Sequence, residues 1–189
     1  MNKIYLFIIL LLFICTNTII LSQTFHLGVK SEPFFLFSKI DSETESKFYT
    51  TSFYLLGGME LNSNIQIEAQ YGFLLSEGYR YNGFETSLMG KYFIRDKKEH
   101  IICGITLHKN GGDNSASHRS EGNFMSIATI GVGTYLTKIL FVQALYQFPI
   151  SDSQYAYNLI WDFREGSYQK IPLKLIGLLK FSVGLSFDL

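Results

Sequence analysis

Residues 179–189, LKFSVGLSFDL, alternate from end to end. Leu179, Phe181, Val183, Leu185, Phe187 and Leu189 take one parity, while Lys180, Ser182, Gly184, Ser186 and Asp188 take the other. Successive side chains of a strand point to opposite faces, so this is a strand with one oily face and one polar face. The beat recurs at 65–75, where Ile65, Ile67, Ala69, Tyr71 and Phe73 oppose Gln66, Glu68, Gln70 and Gly72. No helix-period segment is available to cover these oily faces. They are therefore expected to meet lipid.

The first residues read as an export signal. Lys3 supplies a positive start and residues 4–14 are an unbroken apolar run, too short to span a bilayer. Cleavage is expected after Ser22, giving a leader of 1–22 and a barrel domain of 23–189. The competing reading is a lipoprotein signal with Cys15 as lipid acceptor, against which Ile14 stands where a small residue is wanted. Removing the leader takes one lysine from 16 basic residues and nothing from 16 acidic ones, so the mature chain stays close to neutral. That balance argues against a nucleic-acid partner. It also leaves Cys103 as the one cysteine, on the oily parity of its strand, where a thiol behaves as a small hydrophobe.

The roughly 165 residues that remain suit one domain. A hydrophobic content of 47% without helical periodicity points to an all-β chain. Eight strands can be placed: 25–37, interrupted by Pro33; 48–61; 65–75; 84–94; 101–108; 123–137; 139–148; and the closing stretch. Their connections alternate in length. Those after the second, fourth and sixth strands are short, whereas 38–47 (SKIDSETESK), 109–122 and 149–172 are long and expected to be loops. A transmembrane barrel produces this sorting, with short periplasmic turns at one end and long extracellular loops at the other. The segment from Gln154 to Phe163 is expected as a hairpin above the membrane, with a ten-stranded barrel as the alternative.

Eight strands close at a diameter whose interior side chains can just fill. The inward list is Lys30, Glu60, Glu68, Gln70, Lys91, Gln143, Gln147 and Lys180, separated by glycines such as Gly58, Gly72 and Gly184. Glu68 and Lys91 fall at similar depth on adjacent strands and are expected to pair. The expected interior is plugged and polar, which disfavours an open pore and an apolar, lipid-holding lumen alike. Aromatic girdles are expected from Phe25, Tyr92, Tyr135, Phe141 and Phe187 near the short turns, and from Tyr49, Phe84, Phe124, Tyr146 and Phe148 near the long loops.

With its leader, its eight alternating strands and its terminal KFSVGLSFDL, the chain resembles the small outer-membrane β-barrel family of the OmpA transmembrane-domain and OmpX type. The resemblance implies an eight-stranded antiparallel up-and-down transmembrane β-barrel in the outer membrane of a Gram-negative envelope. It also implies contact with outer-membrane lipid and lipopolysaccharide, and recognition by the barrel-assembly machinery. That family commonly ends on an aromatic residue; here Phe187 lies two residues before Leu189. Function would then sit in the external loops as surface interaction, adhesion or envelope integrity, with an unknown extracellular ligand.

Candidate chemistry is sparse, and nothing calls for a cofactor, a catalytic set or a metal. His108, Asp113 and His118 fall at or in the third long loop, where a histidine and carboxylate set could form a loop site, though without zinc-ligand spacing. His118-Arg119-Ser120-Glu121 is similar to the His-x-Ser pair of eight-stranded lipid A deacylases. That similarity is the basis of the alternative reading, an envelope-lipid-modifying enzyme. A narrow pore is a further alternative.

Overall fold

The computed structural model describes residues 24–75, 81–95, 98–111, 118–120 and 124–189; the expected leader and its cleavage point lie outside them. The strands in chain order are β1 (Phe25–Ser31), β2 (Phe34–Ile40), β3 (Glu43–Tyr49), β4 (Thr51–Asn62), β5 (Ile65–Leu75), β6 (Gly83–Arg95), β7 (Glu99–Asn110), β8 (His118–Ser120), β9 (Phe124–Tyr135), β10 (Leu140–Pro149), β11 (Gln154–Asp162) and β12 (Ser167–Asp188). Eight of them form the wall, each antiparallel to its neighbour, in the order β1-β4-β5-β6-β7-β9-β10-β12. The ring closes where β12 pairs with β1, from His26 opposite Asp188 to Ser31 opposite Val183. A closed ring leaves no unpaired sheet edge inside a bilayer.

The alternation read from sequence is the alternation in space. Outward residues Leu55, Leu88 and Val132 are 59–64% exposed, whereas inward Lys91 and Lys180 are 1% and 0% exposed. A water-soluble sheet protein buries its leucines and exposes its lysines, so the surrounding solvent has to be oil. Cys103 faces outward, on the oily parity.

Short turns close one end. Between β4 and β5 the Asn62 side chain accepts hydrogen bonds from the backbone N–H groups of Asn64 and Ile65, both 2.9 Å, fixing a tight turn. Between β9 and β10 the Thr137 hydroxyl accepts from the Leu140 N–H at 2.9 Å.

At the other end the wall continues upward as hairpins. The stretch 38–47, expected to be a loop, is instead the β2–β3 hairpin, turning at Asp41 with φ 54°. Its composition is polar because both of its faces are above the apolar band, and polarity alone does not separate a solvated hairpin from a loop. The expected hairpin at Gln154 to Phe163 is present as β11 paired with the first third of β12, and the ring has eight strands rather than ten. Asp162 accepts from the Arg164 N–H at 2.8 Å, and Gly166 takes the left-handed conformation that the turn requires. Of the expected loop 109–122, Lys109 and Asn110 belong to β7 and 118–120 form β8, which pairs with β11.

Two irregularities shift the parity. On the second wall strand the inward set is Ser52, Tyr54 and Leu56 below Thr50 but Tyr49 above it, so Tyr49 is buried and not part of an outer girdle. On β12 a register shift between Leu175 and Gly177 moves the inward set from Leu178 and Lys180 to Leu173 and Leu175. One inserted residue reverses every side chain beyond it.

Candidate functional site: a charged belt beneath an apolar cap

The wall brings the inward residues of all eight strands to one axis. Near the short-turn end Lys91 Nζ on β6 lies 2.7 Å from Glu68 Oε2 on β5, the pairing expected from the sequence. Gln70 donates to Glu68 Oε1 at 2.8 Å, and the His26 ring stands 3.6 Å from Oε2. His26 reaches this position because Gly58 on the next strand has no side chain to obstruct it.

Higher along the axis lies a second group built on Lys180. Its ammonium donates to Glu85 Oε2 at 2.6 Å and to the Tyr54 hydroxyl at 2.9 Å, and Tyr54 itself donates to the same Glu85 oxygen at 2.6 Å. Glu32 stands 3.6 Å from the Lys180 ammonium; it is bonded to Lys30 and accepts from the Ser182 hydroxyl at 2.6 Å. His108 Nδ1 approaches Glu85 Oε1 to 3.2 Å, and its ring lies flat on Tyr81, centroids 4.2 Å apart.

The belt thus sets Glu32, Glu68 and Glu85 against Lys30, Lys91 and Lys180, all essentially buried. Burying a charge is costly unless it is paired and its remaining hydrogen-bonding capacity is filled, and here each carboxylate has an ammonium plus a second donor or ring. Beside it is an uncharged layer: Ser87, Thr106 and Thr129 are linked at 2.9 and 3.3 Å, and Gln147 donates to both threonines. Gln143 lies 3.4 Å from His100.

Above the belt the lumen changes character. Phe34, Leu36, Leu74, Ile127, Leu173 and Leu178 are fully or nearly fully buried and pack with Tyr49, Tyr81 and Tyr155 into one apolar cluster inside the long-loop end. The sequence led us to expect polar residues throughout the axis; this cap corrects that. Phe34, Leu36 and Leu74 stand on the inward parity of strands whose outward residues there, Phe35, Phe37, Phe73 and Leu75, are also apolar, and alternation is invisible where both faces are oily. At the opposite mouth, a cavity of about 420 Å³ is lined by His26, Glu60, Gln66, Lys98, Tyr135 and Asp188. Glu60 therefore belongs to this mouth and not to the belt.

Other placements differ from expectation. Phe141 and Tyr135, assigned to a girdle, face inward and pack on each other at 5.8 Å; Phe141 fills the space that Gly184 leaves open. Both share the parity of Gln143 or Gly133, and parity outweighs aromatic character. His108 is an inward residue of β7 held by Glu85, not a loop residue. Asp113 lies outside the described residues, and His118 is described only as a backbone position in β8. Glu32 and Glu85, absent from the expected inward list, carry the parity of Lys30 and Lys91, which is the signal that would have found them. Among the described residues no group of three or more His, Cys, Asp or Glu is placed to hold a metal ion.

No protein-family model and no curated protein sequence matches this chain. Solved structures do. The outer membrane protein OprG from Pseudomonas aeruginosa superposes with a TM-score of 0.51 at 9% identity, covering 87% of this chain and 96% of that one. Neisserial surface protein A, NspA, gives 0.48 at 13% identity over 89% and 99%. The N-terminal β-barrel domain of Pseudomonas aeruginosa OprF gives 0.45 at 16% identity over 85% and 97%. Closed in eight antiparallel strands, with oil-facing leucines outside and matched charges within, the chain has the fold of the small outer-membrane β-barrel proteins.

Proposed function

We propose that this protein is an integral barrel of a Gram-negative outer membrane, delivered there by a cleaved leader of 1–22, and that it acts through the hairpins at its long-loop end. Surface interaction, adhesion or envelope integrity is the class of activity this supports. The observation that carries the reading is the inversion of burial: a continuous outward apolar wall around an axis of ion pairs. Such an interior is a plug, and the belt and cap fill the cross-section through which solutes would pass. Among the described residues the parts left free to meet other molecules are the β2–β3 and β11–β12 hairpins, and function in such folds resides on the segments that a rigid scaffold presents.

Cell fractionation combined with gel mobility before and after boiling tests this. The expected result is a protein in the outer-membrane fraction that migrates as a compact species until heated. A soluble periplasmic product without a mobility shift defeats the reading. In planar bilayers the purified protein is expected to give no current steps above the leak, as the filled axis requires.

A further inference from the structure

The lipid-facing wall ends in a group of cations with no acidic partner among the described residues. On β12 the buried residues above the register shift are Leu173 and Leu175, so Lys170, Pro172 and Lys174 face outward. Lys174 lies directly opposite Lys39 of β2 in the hydrogen-bonded register, and Lys39 is outward because Ser38 is buried. Like charges placed opposite one another on paired strands destabilise the pairing unless something between them carries the opposite charge.

Among the described residues nothing on this face does. The partners of these lysines on neighbouring strands are Thr44, Gln154 and Leu159. Glu45 lies on the other face, paired with Lys47 at 3.3 Å, and the Asp162 carboxylate is used in its own turn. Asp41, in the hairpin turn, makes no ion pair with them. Among the described residues none of the three lysines is within ion-pair distance of a carboxylate.

Height decides what they face. From Phe187 up to Ile176, a stretch of 12 residues, the outward side of β12 is apolar. At roughly 3.3 Å per residue and a strand tilt of about 40°, that run is roughly 25–30 Å tall, the height of a barrel's apolar band. Lys174 and Lys39 are the first outward residues above it, at the level of the outer headgroups. Above them on the same face come aromatic rings, the half-buried Tyr157 under the Lys170 ammonium at 5.0 Å and, farther out, the exposed Trp161 packed edge-on against Tyr168 at 4.9 Å. Flat rings that follow cations along one face suit a ligand that has sugar rings and phosphates together.

We propose that Lys39, Lys170 and Lys174, with Tyr157 and Trp161, form a docking face for the phosphorylated sugar headgroup of an outer-leaflet glycolipid. The proposal rests on the outer-membrane reading above and adds the site and the headgroup chemistry. Phosphate bridges the Lys39–Lys174 pair, Lys170 binds the next anionic group outward, and the rings cover the sugar.

Trp161 is the chain's single tryptophan, so its emission reports on this face. The full-length mature protein is inserted into phosphatidylcholine nanodiscs and titrated with bis-phosphorylated lipid A, with dephosphorylated lipid A, and with phosphatidylglycerol. A saturable Trp161 shift with the phosphorylated glycolipid is expected, weakened roughly 10- to 100-fold in the K39Q/K170Q/K174Q variant and preserved when the same lysines become arginine. The glutamine variant is first shown to be inserted by its heat-modifiable mobility. Equal affinity in the inserted glutamine variant, or an equal response to dephosphorylated lipid A or to phosphatidylglycerol, overturns this assignment and leaves the barrel standing. A wild-type chain that fails to insert overturns both.

Discussion

The two halves of the lumen are filled by opposite chemistries. Around Lys180 and Glu68 the axis holds three ammoniums and three carboxylates, while a few residues higher Phe34, Leu74 and Leu178 make an interior like that of a soluble protein. The difference shows that a small barrel needs its centre full but not uniformly polar. The belt gives directional, mutually dependent contacts that fix which strand lies beside which. The cap gives bulk and tolerates rearrangement.

The largest effect expected from breaking that contrast comes from K180A. It leaves Glu85 without its ammonium and with only Tyr54 and His108 as donors, and unpairing a buried charge typically costs about 3–5 kcal/mol. Urea unfolding in lipid vesicles, followed by gel mobility, measures it. The double variant K180M/E85M removes both charges and is expected to recover most of that loss; if it does not, the belt is not behaving as a set of pairs. L74A tests the cap. Deleting a fully buried leucine costs about 2–5 kcal/mol through lost burial and the cavity left behind, and the same unfolding assay is expected to place it just below K180A.

Outside the lumen, V183R puts a cation on the apolar wall within its lipid-facing band, with an expected cost of about 2–4 kcal/mol and slower insertion into vesicles. The smallest effect belongs to K47Q. Its pair with Glu45 spans 3.3 Å but both side chains are about 40% exposed, and solvent screening holds the loss below about 1 kcal/mol. If K47Q rivalled K180A, depth in the barrel would not be what sets the strength of these pairs.

The wall was legible in the sequence because a period of two survives translation into three dimensions unchanged, and the Glu68–Lys91 pair was legible because both residues sit on the inward parity of adjacent strands. Tyr49 was misread for a local reason: the break at Thr50 reverses parity, and no residue type there announces it. Phe141 and Tyr135 were misread by weighing aromatic character above parity. The cap could not be seen because Phe34 and Leu36 have apolar outward neighbours in Phe35 and Phe37, which erases the alternation, and because Leu173 and Leu175 lie beyond the register shift that reverses the parity of β12. His108 shows that strand ends are the least certain part of such a reading, since β7 runs two residues beyond it.

The seam has a kinetic meaning. Its two strands, β1 and β12, meet across almost the entire length of the described chain, with His26 beside Asp188. Of all the contacts in the ring this one encloses the longest stretch of polypeptide, so its closure entropy is the largest. Sheet growth from the central hairpins outward can proceed in small local steps, but sealing the cylinder must wait until both extremities are in place. The backbone at that joint is interrupted by Pro33, which cannot donate, and is held at the break by Phe181 donating to the Pro33 carbonyl at 2.9 Å. The final stitch is therefore made across a break in one of its two strands, with β1 pairing to β12 on one side of the proline and β2 on the other.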